Sequence, residues 1–180
     1  QEKMRTRLNL EVSLAPEMVE LALSLKPESV CLVPENRKEV TTEGGLDILS
    51  HMERSRDAVK AFTDAGIPTS MFIDPDEKQL EASAEIGSPW VELHTGSFAR
   101  AWYDQSKRAT ELETLRKGME FGISLGLRVN AGHGINYDNV EGAKQLEQVY
   151  EFNIGHSIIS RSITHGLAEA VQTMRALLNK

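Results

Sequence analysis

Apolar and polar residues alternate one by one in two short stretches of the chain. In Leu8-Asn9-Leu10-Glu11-Val12 the aliphatic side chains share one face, while Asn9 and Glu11 share the other. Trp90-Val91-Glu92-Leu93-His94 repeats the arrangement, with Val91 and Leu93 opposite Glu92 and His94. Further strand patterns fall at residues 30–33, 69–73, 127–131 and 152–158. Helical patterns come between and after them, at 16–25, 46–65, 76–86, 105–125, 139–145 and 167–178. Pro16 opens the first, and Gly66, Gly87 and Gly126 stop the second, third and fourth.

Six strand–helix units in succession predict parallel pairing with right-handed crossovers. A doubly wound sheet, covered on both faces, calls for almost continuously apolar strands. One polar face per strand suits a barrel instead, apolar outside against its helices and polar within. The chain therefore reads as a single α/β domain over residues 1–180, a (β/α)8 TIM barrel of which six of the eight units are present. It starts at Gln1 rather than Met, and the expectation is a barrel lacking its first two units. The strands at 8–12 and 152–158 would then be open edges that invite self-association, so a homo-oligomer is expected.

Composition narrows the function. A net charge of −7 over 180 residues argues against nucleic acid or an anionic membrane as partner. No apolar run is long enough to cross a membrane, and no signal-peptide pattern opens the chain. The one cysteine, Cys31, lies in the apolar run Val30-Cys31-Leu32-Val33 and reads as a buried, inert thiol in a reducing compartment. These features place the protein in the cytoplasm.

The chemistry gathers where strands end. Val129-Asn130-Ala131-Gly132-His133-Gly134 runs from a strand into a histidine framed by glycines, which let a ligand approach the backbone. Gly155-His156 follows another strand-like run. A glycine turn ahead of a helix, here a short one at 157–163, offers amide donors to an anion, and barrels commonly hold phosphate at their last strand loops.

Seven stretches in the same order resemble the pyridoxine 5'-phosphate synthase family. They are Asn9-Leu10-Glu11, the Cys-Leu-Val-Pro-Glu of 31–35, the Glu-Val-Thr-Thr-Glu-Gly-Gly-Leu-Asp of 39–47, the Phe-Ile-Asp of 72–74, the Glu-Leu-His-Thr-Gly of 92–96, the Val-Asn-Ala-Gly-His-Gly of 129–134 and the Asn-Ile-Gly-His of 153–156. The resemblance covers essentially the whole chain. Family members carry two further N-terminal units with an Asn-x-Asp-His and a His-x-Arg stretch, and residues 1–180 match neither. The family closes a pyridine ring by condensing 1-deoxy-D-xylulose 5-phosphate with 3-amino-2-oxopropyl phosphate. That route runs through imine formation, phosphate elimination, hydration and an aldol-type closure, and the resemblance implies no metal or organic cofactor.

The resemblance implies that Glu11 is the general base, His133 the proton donor and Glu92 a carboxylate that stabilises the transition state. It also implies that Thr41 contacts the deoxyxylulose phosphate, that Gly134 contacts ligand through its backbone, and that Gly155 with His156 holds the aminoacetone phosphate. Each residue has a plainer reading. Glu11 could be an interior carboxylate in a structural network, His133 a solvated loop residue, and Thr41 a helix cap that spacing cannot separate from Thr42. His94 reads as an orienting partner, and Arg161 as a phosphate ligand or a surface arginine. His51 and His165 read as packing or solvent residues, Trp90 and Trp102 as anchors. Glu35 and Asp74 lack the companions a metal needs.

Two other functions compete with this one. A different phosphate-handling barrel, a lyase or isomerase, would want a Schiff-base lysine, and the strands contain none. An inactive or partner-completed barrel fragment is the other.

Overall fold

A computed structural model describes residues 6–35 and 44–179. The strands are β1 (Asn9–Val12), β2 (Ser29–Leu32), β3 (Thr69–Ile73), β4 (Trp90–His94), β5 (Arg128–Gly132) and β6 (Phe152–Asn153). The helices are α1 (Pro16–Leu25), α2 (Met52–Asp64), α3 (Glu77–Glu85), α4 (Gly96–Arg100), α5 (Gln105–Ser124), α6 (Val140–Ala143), α7 (His156–His165) and α8 (Leu167–Leu178). All neighbouring strands are parallel, and their spatial order is their order in the chain. A doubly wound sheet reverses direction at a switch point. This one never does, and it curls as part of a (β/α)8 barrel.

Register partners in a parallel sheet share a face, so the pairings sort the side chains. Glu11 pairs with Cys31, Cys31 with Ser70, Phe72 with Glu92, Glu92 with Asn130, and His94 with Gly132, itself opposite Asn153. Those residues form the inner face. The alternate positions Val30, Leu32, Met71, Ile73, Val91, Leu93 and Val129 point outward and are almost wholly buried. They pack in one apolar cluster with Ala22 of α1, Phe62 of α2, Leu80 of α3, and Leu115 and Met119 of α5. Burying each large aliphatic or aromatic side chain contributes about 1.5–3 kcal/mol. Stability therefore comes from the sheet's outer face, which leaves the inner face to chemistry.

The chain's punctuation follows backbone physics. Gly66, Gly87 and Gly126 take φ values of +73°, +83° and +84° just after α2, α3 and α5, the left-handed stop that glycine makes without steric cost. Asp76 caps α3 by accepting from the amides of Lys78 and Gln79.

Four expectations need correction. The sixth strand ends at Asn153 instead of running to 158, because Gly155 starts α7 at His156. In α7, Ile158 packs on the core while Ile159 and Ile163, one turn apart, face outward, so an aliphatic run was helix and not strand. The helix expected over 46–65 starts only at Met52, after a 3-10 turn at Leu49–His51. Upstream, the amide of Leu46 donates to the Phe72 carbonyl of β3 at 2.7 Å and keeps the chain extended. The helix expected over 139–145 shrinks to Val140–Ala143. The five-residue α4 occupies what read as a plain loop through Gly96.

Candidate active site

At the centre of the inner face is Glu92, only 3% exposed. Its Oε2 accepts from Asn153 Nδ2 at 2.5 Å and from the Cys31 thiol at 3.6 Å. Burial lifts its pKa to about 7, and the charge of Glu11 adds to the rise, while the Asn153 and Cys31 hydrogen bonds restrain it. Such a group exchanges a proton near neutrality. The buried Cys31 thiol is pushed well above its ordinary pKa, by burial first and then by the charges of Glu92 and Glu11, so it is a weak donor to Glu92 and a poor nucleophile.

This shift has a measurable consequence for stability. A carboxyl whose folded pKa is about 7 against an ordinary 4.5 costs the fold nothing while both states are protonated, below pH 4.5. The cost grows as pH rises from there and is complete above about 7. It is on the order of 3 kcal/mol. Glu92→Gln keeps the shape without the charge. Its melting temperature should therefore gain on the parent's as pH goes from 5 to 8, and parallel melting curves across that range would contradict a buried titrating Glu92.

His94, also buried, closes β4 with its Nδ1 2.8 Å from Asp74 Oδ1, just beyond β3. The hydrogen bond from His94 holds the Asp74 carboxyl below its usual range. Asp74 is then an acceptor, so the proton sits on Nδ1 of His94 and fixes the ring's orientation. Nε2 lies against Gly96, where any Cβ would overlap it. The His133 ring stands 4.9 Å from that of His94, centre to centre, and Phe72 flanks both at 5.3 Å from His94 and 6.3 Å from His133. His133 is exposed and takes φ +79°, as does Gly134.

The expected residues thus divide. His133 and Gly134 follow the C-terminal end of β5, where barrel enzymes place their chemistry, while Glu92 lies mid-strand in β4 in register with Asn130. Glu11 lies on the same inner face at the sheet's edge strand, exposed, and couples to Glu92 by charge. Gly155 caps the N-terminus of α7, and both it and His156 are exposed. Thr41 and Thr42 lie outside the described residues. Arg161 stacks on Tyr137 at 4.9 Å and pairs with Glu169 at 3.6 Å. Glu35 pairs with Arg54. Trp102 packs edge-on against Phe98 as an anchor.

Cys31 was read as mere packing and Asn153 went unassigned, yet both hold Glu92. Alternation was the available signal for Cys31, since it stands in register with Glu11. Asn130, the register neighbour of Glu92, is buried with its Oδ1 lacking a hydrogen-bond partner, an acceptor that a bound molecule's hydroxyl or a water could satisfy.

The fold and site define a (β/α)-barrel protein with carboxylates and histidines clustered at the C-terminal strand ends. Residues 1–180 match the family described as "Pyridoxal phosphate biosynthesis protein PdxJ", and the chain belongs to that family. It is 52% identical over 178 residues, 99% of its own length and 72% of the relative's, to a "Pyridoxine 5'-phosphate synthase" of Opitutus terrae. A protein of the same name from Pseudoalteromonas translucida is 49% identical over 175 residues, 97% of this chain and 72% of that one. Among solved structures it resembles a xylose isomerase domain protein from Planctomyces limnophilus, with TM-score 0.58, 12% identity, and coverage of 97% of this chain and 73% of the other. The Amycolatopsis orientalis BexX/CysO complex matches with TM-score 0.57 and 19% identity, over 88% of this chain and 59% of that one. At such identities the likeness is one of fold alone. No described helix is long and apolar enough to cross a membrane.

Proposed function

We propose that the chain carries the ring-closing reaction of its relatives, joining 1-deoxy-D-xylulose 5-phosphate to 3-amino-2-oxopropyl phosphate to form pyridoxine 5'-phosphate, inorganic phosphate and water. The observation that carries this reading is Glu92, a buried carboxyl held near neutrality, on one face with Glu11 and next to the His94–His133 pair. Imine formation, elimination and aldol closure each move a proton at a carbonyl or an adjacent carbon, and groups that titrate near the working pH move protons best.

In this scheme Glu11, exposed on the inner face, takes protons from bound substrate. Glu92 stabilises positive charge when ionised and donates when protonated. His133, on its glycine-framed loop, returns protons to leaving oxygen. Gly134 offers backbone to the ligand, Thr41 serves the deoxyxylulose phosphate, and the amides after Gly155, with His156, receive the phosphate of the amino ketone. Incubating the protein with both substrates and detecting pyridoxine 5'-phosphate by mass spectrometry tests the reading. Product from the parent supports it, and no product overturns it.

The anion turn has its own test. Gly155 takes an ordinary φ of −118°, and a Cβ placed there meets nothing within 4 Å. Gly155→Val should therefore fold within about 0.5 kcal/mol of the parent while its branched side chain screens the amides. The expected result is a KM for the amino ketone phosphate raised by about tenfold, roughly the 1.4 kcal/mol of a charge-assisted hydrogen bond or two. An unchanged KM removes the turn from the site.

A further inference from the structure

Four successive carbonyls run through the loop that carries His133, and side chains from three different elements meet all of them. The Thr95 hydroxyl lies 2.7 Å from the Gly132 carbonyl and 2.6 Å from that of His133. The Thr95 amide also donates to the Gly132 carbonyl at 2.8 Å. Asn139, at the start of α6, donates to the Gly134 carbonyl at 3.1 Å and accepts from the Asn136 amide at 2.7 Å. Ser157, in the first turn of α7, donates to the Ile135 carbonyl at 2.9 Å. Thr95 and Asn139 are both completely buried.

A left-handed φ at a residue with a side chain is sterically unfavourable and persists only where the surroundings enforce it. His133 has that backbone, and Thr95 holds the carbonyls on both sides of its Cα. The single hydroxyl proton is shared between them, so the two oxygens are fixed relative to β4. We propose that Thr95 is the positioning residue for His133, with Asn139 and Ser157 completing a clamp that sets the imidazole against His94 and the substrate. The claim rests on the catalytic reading of His133 given above. It also joins two parts of the site, because Ser157 lies two residues beyond the anion-turn glycine and reaches the same loop. A phosphate seated at that turn would then act on the His133 loop through one hydrogen bond.

Thr95→Val keeps the shape and removes the hydroxyl, and Thr95→Ser keeps the hydroxyl. The valine variant should lose at least about tenfold in kcat with KM within about threefold, since misplacement of a catalytic group by an ångström can cost a hundredfold. The serine variant should stay within about threefold of the parent. A second readout does not depend on turnover, namely the imidazole nitrogen NMR signals of His133 followed through a pH titration. The ring faces His94 with Asp74 behind it, and its titration midpoint should move in the valine variant and match the parent's in the serine variant.

Parent-like kcat and parent-like His133 titration in Thr95→Val overturn the proposal, as does a serine variant as impaired as the valine. If Thr95→Val does not fold, Ser157→Ala, at the half-buried end of the clamp, should displace the same His133 signals, and unmoved signals overturn it. A parent that makes no product defeats the catalytic reading, while the NMR arm still decides the clamp.

Discussion

Glu11→Gln should turn over at least about a hundredfold more slowly than the parent, the usual contribution of a general base, with KM values within about threefold. The substitution is nearly isosteric at an exposed position on the edge strand, so stability should stay within about 0.5 kcal/mol. Steady-state kinetics on both substrates would check this, and parent-like turnover would remove Glu11 from the chemistry. A second signature distinguishes catalysis from simple damage. The charge of Glu11 helps to raise the Glu92 pKa, so the variant should carry a Glu92 that ionises at lower pH. The pH at which residual activity changes should move down with it.

Gly132→Ala should be nearly as severe, for a different reason. A Cβ at that position would overlap Oε1 of Glu92 and come within 3.0 Å of the Asn153 carbonyl. The carboxyl cannot simply swing aside, because Asn153 and Cys31 hold its other oxygen and burial surrounds it. One methyl group therefore pushes Glu92 off its partners. The expected loss is on the order of a hundredfold in kcat, with about 1–3 kcal/mol of stability from overpacking. Turnover alongside thermal melting separates the two effects. If alanine at 132 is tolerated with full activity, Glu92 does not need its observed seat.

Much of this was legible because alternation is a property of single residues. Asn9 and Glu11 against Leu8, Leu10 and Val12 assigned two faces to one strand, and the register confirms the same parity on all six. The family motifs likewise marked Glu92 and His133. What stayed hidden depends on contacts across the sheet. Nothing local to Cys31 announces a carboxyl 61 residues away, and the Asp74–His94 pair joins two strand ends 20 residues apart. The run from Phe152 to Ile158 was misread because a short aliphatic stretch carries no period that separates strand from helix. Thr95 stood inside the 92–96 motif with no role assigned to it, and only the paths of Gly132 and His133 give its hydroxyl a purpose.

The two-faced sheet should leave a trace in any exhaustive substitution experiment. If every position of β1 to β5 were varied and survival scored separately as folded yield and as product formed, the two maps would interleave with a period of two residues. Yield would fall at Val91, Leu93 and Val129, whose side chains fill the outer layer, while turnover would fall at Glu92, His94 and Asn130. Neighbours in the chain would thus fail for unrelated reasons. New chemistry could be selected at every second residue of this barrel while the residues between them continue to hold it folded.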